Sequence, residues 1–360
     1  ATTAKTSTVK LGAGDDKLLL KAAGAVAGAT YVFGEAGNDT VKIDSTSGVL
    51  TSSDLIDGGE GTDTLVIDNA ANTMVLRGIE KLTLTKTAAA NVINSADSAI
   101  AVTAEVDNNA VNLTGLTSGS TVTVNDAKDA TGGVAALTVG YKALETAATI
   151  DVNSAKADSA VTINNVTAAT IDYAKSATSA SITTDETTSL NIIAAKDVST
   201  GAIASSNKLK TLTITGQDAV TTGAVTSTAL ETVTVSGVKA VQTGAFAEAG
   251  KLKTVNVTST TDLVSVGNIG GASKNNTTDA LNITVSAAKA ATLGTVGDAT
   301  GSGKLGDISV TATDGLLTAG AITGTDAGTI TLTSTAGAIA MTDGAAAAEI
   351  VATDTTGITV

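Results

Sequence analysis

Through the middle of the chain, apolar and polar residues alternate in short runs that recur at a nearly fixed interval. Residues 200–257 hold one phrase three times: TGAIASSNKLKTLTI from Thr200, TGAVTSTALETVTV from Thr222 and TGAFAEAGKLKTVNV from Thr243. Each phrase ends in apolar residues two apart, Leu212 and Ile214, Val233 and Val235, Val255 and Val257, with Thr or Asn between them. A period of two places the apolar set on one face of a pleated strand. Its return every 21 or 22 residues makes each phrase one unit of a repeat.

Extended outward, this register predicts a ladder through Ile150, Ile171, Ile192, Leu212, Val233 and Val255. It continues through Ile283, Ile308, Ile330 and Ile350, with loops inserted where the interval lengthens. A second series, Val161, Ile182, Ile203, Val225 and Phe246, falls half a coil earlier and should form the opposite wall. The expected fold is all-β: a parallel β-solenoid, or β-helix, of two strands per coil stacked at ~4.8 Å. Gly201, Gly223 and Gly244 fall at the expected corners, where positive φ or close backbone approach favours glycine. A β-sandwich with accidental spacing is the competing reading. The LKTLTI and LETVTV strands also resemble leucine-rich coils, but no helix pattern accompanies them.

Composition sharpens this picture. Of 360 residues, 42% are hydrophobic but only 1% aromatic, so the core must be built from Val, Ile, Leu and Ala. Small aliphatics suit a thin interior between sheets about 10 Å apart. Tyr31, Phe33, Tyr141, Tyr173 and Phe246 are scattered and are expected at core or corner positions. There is no Cys, Pro, His or Trp. That removes disulfides, thiolate metal sites and the commonest general base, and leaves hard, oxygen-liganded metals. With net charge -14 and Arg77 the only arginine, the chain is not expected to bind nucleic acid or an anionic membrane surface. No apolar run reaches the ~18 residues of a membrane span, and Ala1 begins without the basic and apolar regions of a signal peptide. A soluble chain with cut ends is expected.

The N-terminal part carries a different pattern. GAGDDKLLL from Gly12, GEAGNDTVKI from Gly34 and GGEGTDTLVI from Gly58 share a frame in which Gly14, Gly37 and Gly61 are each followed two residues later by Asp16, Asp39 and Asp63. An apolar strand follows each aspartate, and the aspartates stand 23 and 24 residues apart, one coil each. The three turns should therefore stack on one edge. Carboxylates a strand spacing apart repel by ~1 kcal/mol per pair even at the dielectric of water. A cation between the turns reverses that sign, and Ca²⁺ is the ion that accepts carboxylates and turn carbonyls in flexible coordination. Arg77 and Glu80, in VLRGIEKL, read as a solvated pair at the start of the longer solenoid.

Gly58 to Val66 matches the calcium-binding RTX nonapeptide G-G-x-G-x-D-x-U-x at every fixed position. The other two copies match in part, with Leu11 in place of the first glycine of one and Glu35 in place of the second glycine of the other. The copies are separated by second halves such as AAGAVAGATY rather than running in tandem. This resemblance implies that Ca²⁺ is held between neighbouring turns by Asp16, Asp39 and Asp63 with turn carbonyls. The turn glycines are Gly12, Gly14, Gly34, Gly37, Gly59 and Gly61, and Asp15 and Asp57 flank the set. Residues 1–88 are then an RTX-like β-roll segment, and residues 89–360 an elongated solenoid continuous with it.

The wider pattern, acidic glycine turns leading into GIEKLTLT and a long Thr/Ala/Val solenoid without Cys, is similar to the surface-layer proteins of Gram-negative bacteria, such as those of Caulobacter and Campylobacter. That resemblance implies type I secretion, folding on calcium outside the cell, and assembly of copies into a two-dimensional lattice on the cell surface. Any anchoring to lipopolysaccharide would lie in a region outside this chain. Catalysis is not expected, because the only adjacent aspartate pair, Asp15 and Asp16, belongs to a calcium turn. The repeat region of a secreted RTX adhesin is the alternative function.

Overall fold

The computed structural model describes residues 6–22, 28–45, 50–68, 72–85, 90–95, 98–107, 109–126, 135–153, 160–205, 207–247, 250–270, 279–297, 303–325, 327–342, 347–354 and 358–359. Among these the regular structure is strand throughout, with parallel pairing from coil to coil, so the chain is a parallel β-solenoid. No helix among the described residues is long and apolar enough to cross a membrane. The chain forms two compact units, Ala1–Ala174 and Lys175–Val360.

In the first unit one wall is a ladder of aliphatics in register: Leu18, Val41, Leu65, Leu82, Val102, Val122, Ile150 and Ile171. From Val41 onward every member is buried. Val9, Val32, Ile56 and Leu76 stack on the opposite side of the N-terminal coils. Burying each Val, Leu or Ile stabilises the fold by about 1.5–3 kcal/mol, and the ladder repeats that gain at every coil. Alternate residues face outward, as in the strand Thr64–Asp68, where Leu65 and Ile67 are buried and Thr64, Val66 and Asp68 are not.

In the second unit the expected ladder runs through Leu212, Val233, Val255, Ile283, Ile308, Ile330 and Ile350. The inserted residues before Ile283 leave the register intact, and those before Ile308 are accommodated with a one-residue bulge between the pairs Leu281–Leu305 and Ile283–Ile308. Ile182, Ile203, Val225 and Phe246 form the other wall, extended by bridges to Ile269, Val296 and Ile322. One step of the expected register is displaced. Leu212 stands on Leu190, and Ile192 on Ile214. Both Leu190 and Ile192 point inward, and a slip of two residues preserves facing, so alternation alone does not choose between them.

Among the described residues, two coils of the second unit, beginning at Thr211 and Thr232, carry three strands rather than the expected two, while the next three coils keep two strands with an isolated bridge at Ile269, Val296 or Ile322. A six-residue strand such as Thr211–Gly216 is followed by two short ones, Val220–Thr222 and Val225–Thr226. The break falls at Gly223, within a column of glycines made by Gly201, Gly223, Gly244, Gly267, Gly294 and Gly320. A Cβ on Gly223 would come within 2.5 Å of the Gly201 carbonyl carbon. Close approach, not a left-handed φ, therefore dictates glycine here.

Just before this column, Thr200, Thr222 and Thr243 stack inward, nearly buried, and their hydroxyls have no hydrogen-bond partner. Two neighbouring substitutions should thus act in opposite directions. Thr222→Val, isosteric and apolar, is expected to raise unfolding free energy by about 1 kcal/mol. Gly223→Ala should lower it by about 1–3 kcal/mol through overpacking against the next coil. Urea denaturation of each variant against wild type measures both; equal effects would mean that the corner relaxes freely.

Candidate metal centre

The three acidic turns stack as the sequence predicts. Lys17 is in register with Thr40, and Thr40 with Thr64, which aligns Asp16, Asp39 and Asp63 one residue before each strand. Gly14, Gly37 and Gly61 stack with φ of 116°, 133° and 138°. A side chain at Gly37 or Gly61 would run into the carbonyl of the glycine in the preceding coil, so both the angle and the space require glycine. Gly12, Glu35 and Gly59 form the parallel column, also left-handed, with φ of 103°, 76° and 96°. Glu35 thus adopts a backbone conformation that its two column neighbours reach as glycines.

Asp39 and Asp63 are each tied to the turn before them. The Asp16 N–H donates to Asp39 Oδ1 at 2.8 Å, and the Asp39 N–H donates to Asp63 Oδ1 at 2.7 Å. The Asp63 N–H donates in turn to Glu80 Oε2 at 2.8 Å. Glu80 is therefore the fourth member of the column and not a solvated partner of Arg77. Its longer side chain reaches the same donor from a shorter coil. Ile100 follows in the column, and its N–H turns to Ser120 Oγ at 3.0 Å.

A second ladder runs the other way one residue earlier. Asp15 Oδ1 accepts from the Asn38 N–H at 2.7 Å, and Asn38 Oδ1 accepts from the Thr62 N–H at 2.9 Å. Asp15 is exposed and engaged as a staple between turns. Asp57 stands apart from the aspartate column, in register with Phe33 and Arg77 on a neighbouring strand.

The other oxygen of each inner aspartate has a different environment. Asp39 and Asp63 are 2% and 1% exposed, and the Oδ2 of each is buried with no hydrogen-bond partner. Asp39 Oδ2 lies beside the Gly58 carbonyl, over the open face of Gly34; Asp63 Oδ2 lies over Gly58 beside the Gly78 carbonyl. A Cβ at Gly34 or Gly58 would fill these spaces. Two cradles of carboxylate and carbonyl oxygen therefore sit between successive turns, and their donors are the hard oxygens that suit Ca²⁺. Among the described residues no group of three or more acidic side chains converges on one point, so a cation there would draw on carbonyls and water for most of its shell.

Burial pushes the Asp63 carboxyl above its usual 3.8, and the charges of Asp39, Glu80 and Asp57 push the same way against the Asp39 N–H, which lowers it. The column is thus held together by N–H donors while remaining short of positive charge. Elsewhere the protein meets the same problem by alternation. At one corner of the second unit Lys196, Asp218, Lys239, Asp262 and Lys289 succeed one another, with Lys239–Asp218 at 2.8 Å and Lys289–Asp262 at 3.3 Å. At another, Lys210, Glu231, Lys253 and Asp279 alternate, with Lys253 3.4 Å from Glu231 and 3.1 Å from Asp279. These exposed pairs contribute little energy each, but they avoid stacking like charges. The Asp16–Glu80 column contains no lysine.

The chain matches no protein-family description, no curated protein and no solved structure.

A carboxyl whose folded value is raised favours folding below its unfolded value and loses that contribution as pH rises through the folded value. In chelator at neutral pH, Asp63→Asn keeps the acceptor for the Asp39 N–H and removes a buried charge, so stability should rise by about 1 kcal/mol. Below 3.8 the wild-type carboxyl is protonated and the two proteins should converge. Urea unfolding at both pH values tests this; a neutral-pH loss in chelator would show that the Asp63 charge is already compensated.

Proposed function

We propose that the chain is a structural component of a bacterial surface layer, folded on Ca²⁺ and assembled from many copies on the cell exterior. The observation that carries this reading is the uninterrupted acidic column with its buried, unpartnered Asp39 and Asp63 Oδ2 atoms. Asp39 and Asp63, with the carbonyls of Gly58 and Gly78, are the residues that would hold the ions. Bound Ca²⁺ would supply the positive charge that the lysines supply in the second unit. The full match of Gly58–Val66 to the RTX nonapeptide supports the choice of ion.

Assembly draws support from the outer face of the second unit. Thr213, Thr234, Asn256, Thr284, Ser309 and Thr331 stand in register, short, polar and uncharged. Such a surface suits wet, polar contacts between copies. At net charge -14 the copies repel one another, so a divalent cation that bridges carboxylates should promote association where monovalent salt only screens. Secretion by a type I route and an exterior location belong to the same proposal, as does a structural rather than catalytic role.

Calcium should control the N-terminal coils more than the rest. One site of extracellular affinity, ~10⁻⁴ to 10⁻³ M, adds only about 0.4–1.4 kcal/mol at millimolar Ca²⁺, so several coupled ions are needed to decide folding. Hydrogen exchange with and without chelator should show protection lost first before residue 90, and uniform loss would defeat the assignment. In electron micrographs, purified chains should form sheets or ordered oligomers in millimolar Ca²⁺ and disperse in chelator. A chain that stays monomeric in Ca²⁺ at high concentration would not be a lattice protein.

A further inference from the structure

The chain has three tyrosines and two phenylalanines. Tyr141, Tyr173 and Phe246 are buried, and the Tyr141 hydroxyl donates to the Ser120 carbonyl at 2.7 Å. Tyr31 and Phe33 are different: they stand on the outward face of the strand Thr30–Ala36, half-buried, while Val32 between them is fully buried. Beside Phe33 lies a cavity of about 230 Å³ lined by Lys10, Phe33, Glu35, Asp57 and Gly59. Lys10, Phe33, Asp57 and Arg77 are in register on successive coils, so the ring is bracketed by an ammonium on one side and a carboxylate on the other. Lys10 Nζ is 3.1 Å from Glu35 Oε1 across the rim, with both side chains well exposed.

We propose that this cavity binds one ring of a neutral saccharide. A sugar ring has an apolar C–H face and a rim of hydroxyls, each able to donate and to accept. Phe33 supplies the apolar ring on which that face can lie. Asp57 and Glu35 accept hydrogen bonds, and Lys10 donates them. The lining argues against other ligand classes. An anion would face two carboxylates, a cation would face the Lys10 ammonium, and a wholly apolar molecule would strip charged groups of water without replacing it.

Size points the same way, because the cavity is smaller than the ~300–1,000 Å³ of drug-sized pockets and accommodates a single ring. Tyr31, two residues along the strand and so ~6.7 Å from Phe33, offers a second ring on which the next sugar of a chain would lie. This inference rests on neither the calcium reading nor the lattice.

Saturation-transfer NMR on the full chain in Ca²⁺, with the methyl glycosides of glucose, galactose, mannose and N-acetylglucosamine, tests it. Transfer to the ring C–H protons of at least one sugar is expected. Phe33→Leu, which keeps apolar volume but removes the ring, should weaken that sugar's binding about tenfold. Asp57→Asn, isosteric, should weaken it severalfold and keeps the test decisive if the Leu variant fails to fold. No transfer from any of the sugars at tens of millimolar, or binding unchanged in both variants, overturns the proposal, as does a response to tetramethylammonium in place of the sugars.

Discussion

Everything in this molecule follows from the parallel, in-register stacking of one coil on the next. A residue in such a stack has its own counterpart as nearest neighbour, about 4.8 Å away. Aliphatic residues profit from that arrangement without limit, and the ladder from Val41 to Ile171 is its product. Glycine becomes obligatory wherever two backbones close on each other, as in the column through Gly223. Threonine fits but leaves hydroxyls unmatched when it faces inward, as at Thr200, Thr222 and Thr243.

Charge is what this geometry tolerates least, and the protein handles it in two ways. In the second unit acidic and basic residues alternate up a corner, so each faces its opposite. In the Asp16–Glu80 column the charges are all of one sign, and backbone N–H groups of the preceding turn take one carboxylate oxygen each of Asp39, Asp63 and Glu80. The remaining oxygens of Asp39 and Asp63 are buried without a donor. A fold that elsewhere supplies lysines at this interval has withheld them here, and it is this contrast, more than the motif, that gives the acidic turns their chemical character.

Much of this was legible in the chain itself, because a repeat exposes its own register. The ladder from Leu212 to Ile350 and the stacking of Asp16, Asp39 and Asp63 follow from spacing alone. Three features did not. The two-residue slip at Leu190 is invisible to a pattern of period two. Gly78 stands two residues before Glu80, but glutamate replaces aspartate and the coil is shorter, and only the structure shows that the longer side chain reaches the Asp63 N–H. The outward placement of Tyr31 and Phe33 was hidden because TYVFG is apolar on both faces, so alternation marks two faces without saying which meets the core. The missing signal for Glu80 was present in the register of GIEKLTLT with GGEGTDTLVI, where the glutamate falls under the aspartate.

Glu80 also closes the column, since Ile100 stands in its place one coil later. Each coil enters and leaves the stack at the same points of the aliphatic walls. Duplication of a single coil in the gene would therefore insert one more carboxylate without shifting any other ladder. The length of the acidic column is an inherited quantity that changes in whole steps. Evolution could set how much cation this edge attracts by counting coils, leaving the hydrophobic interior untouched.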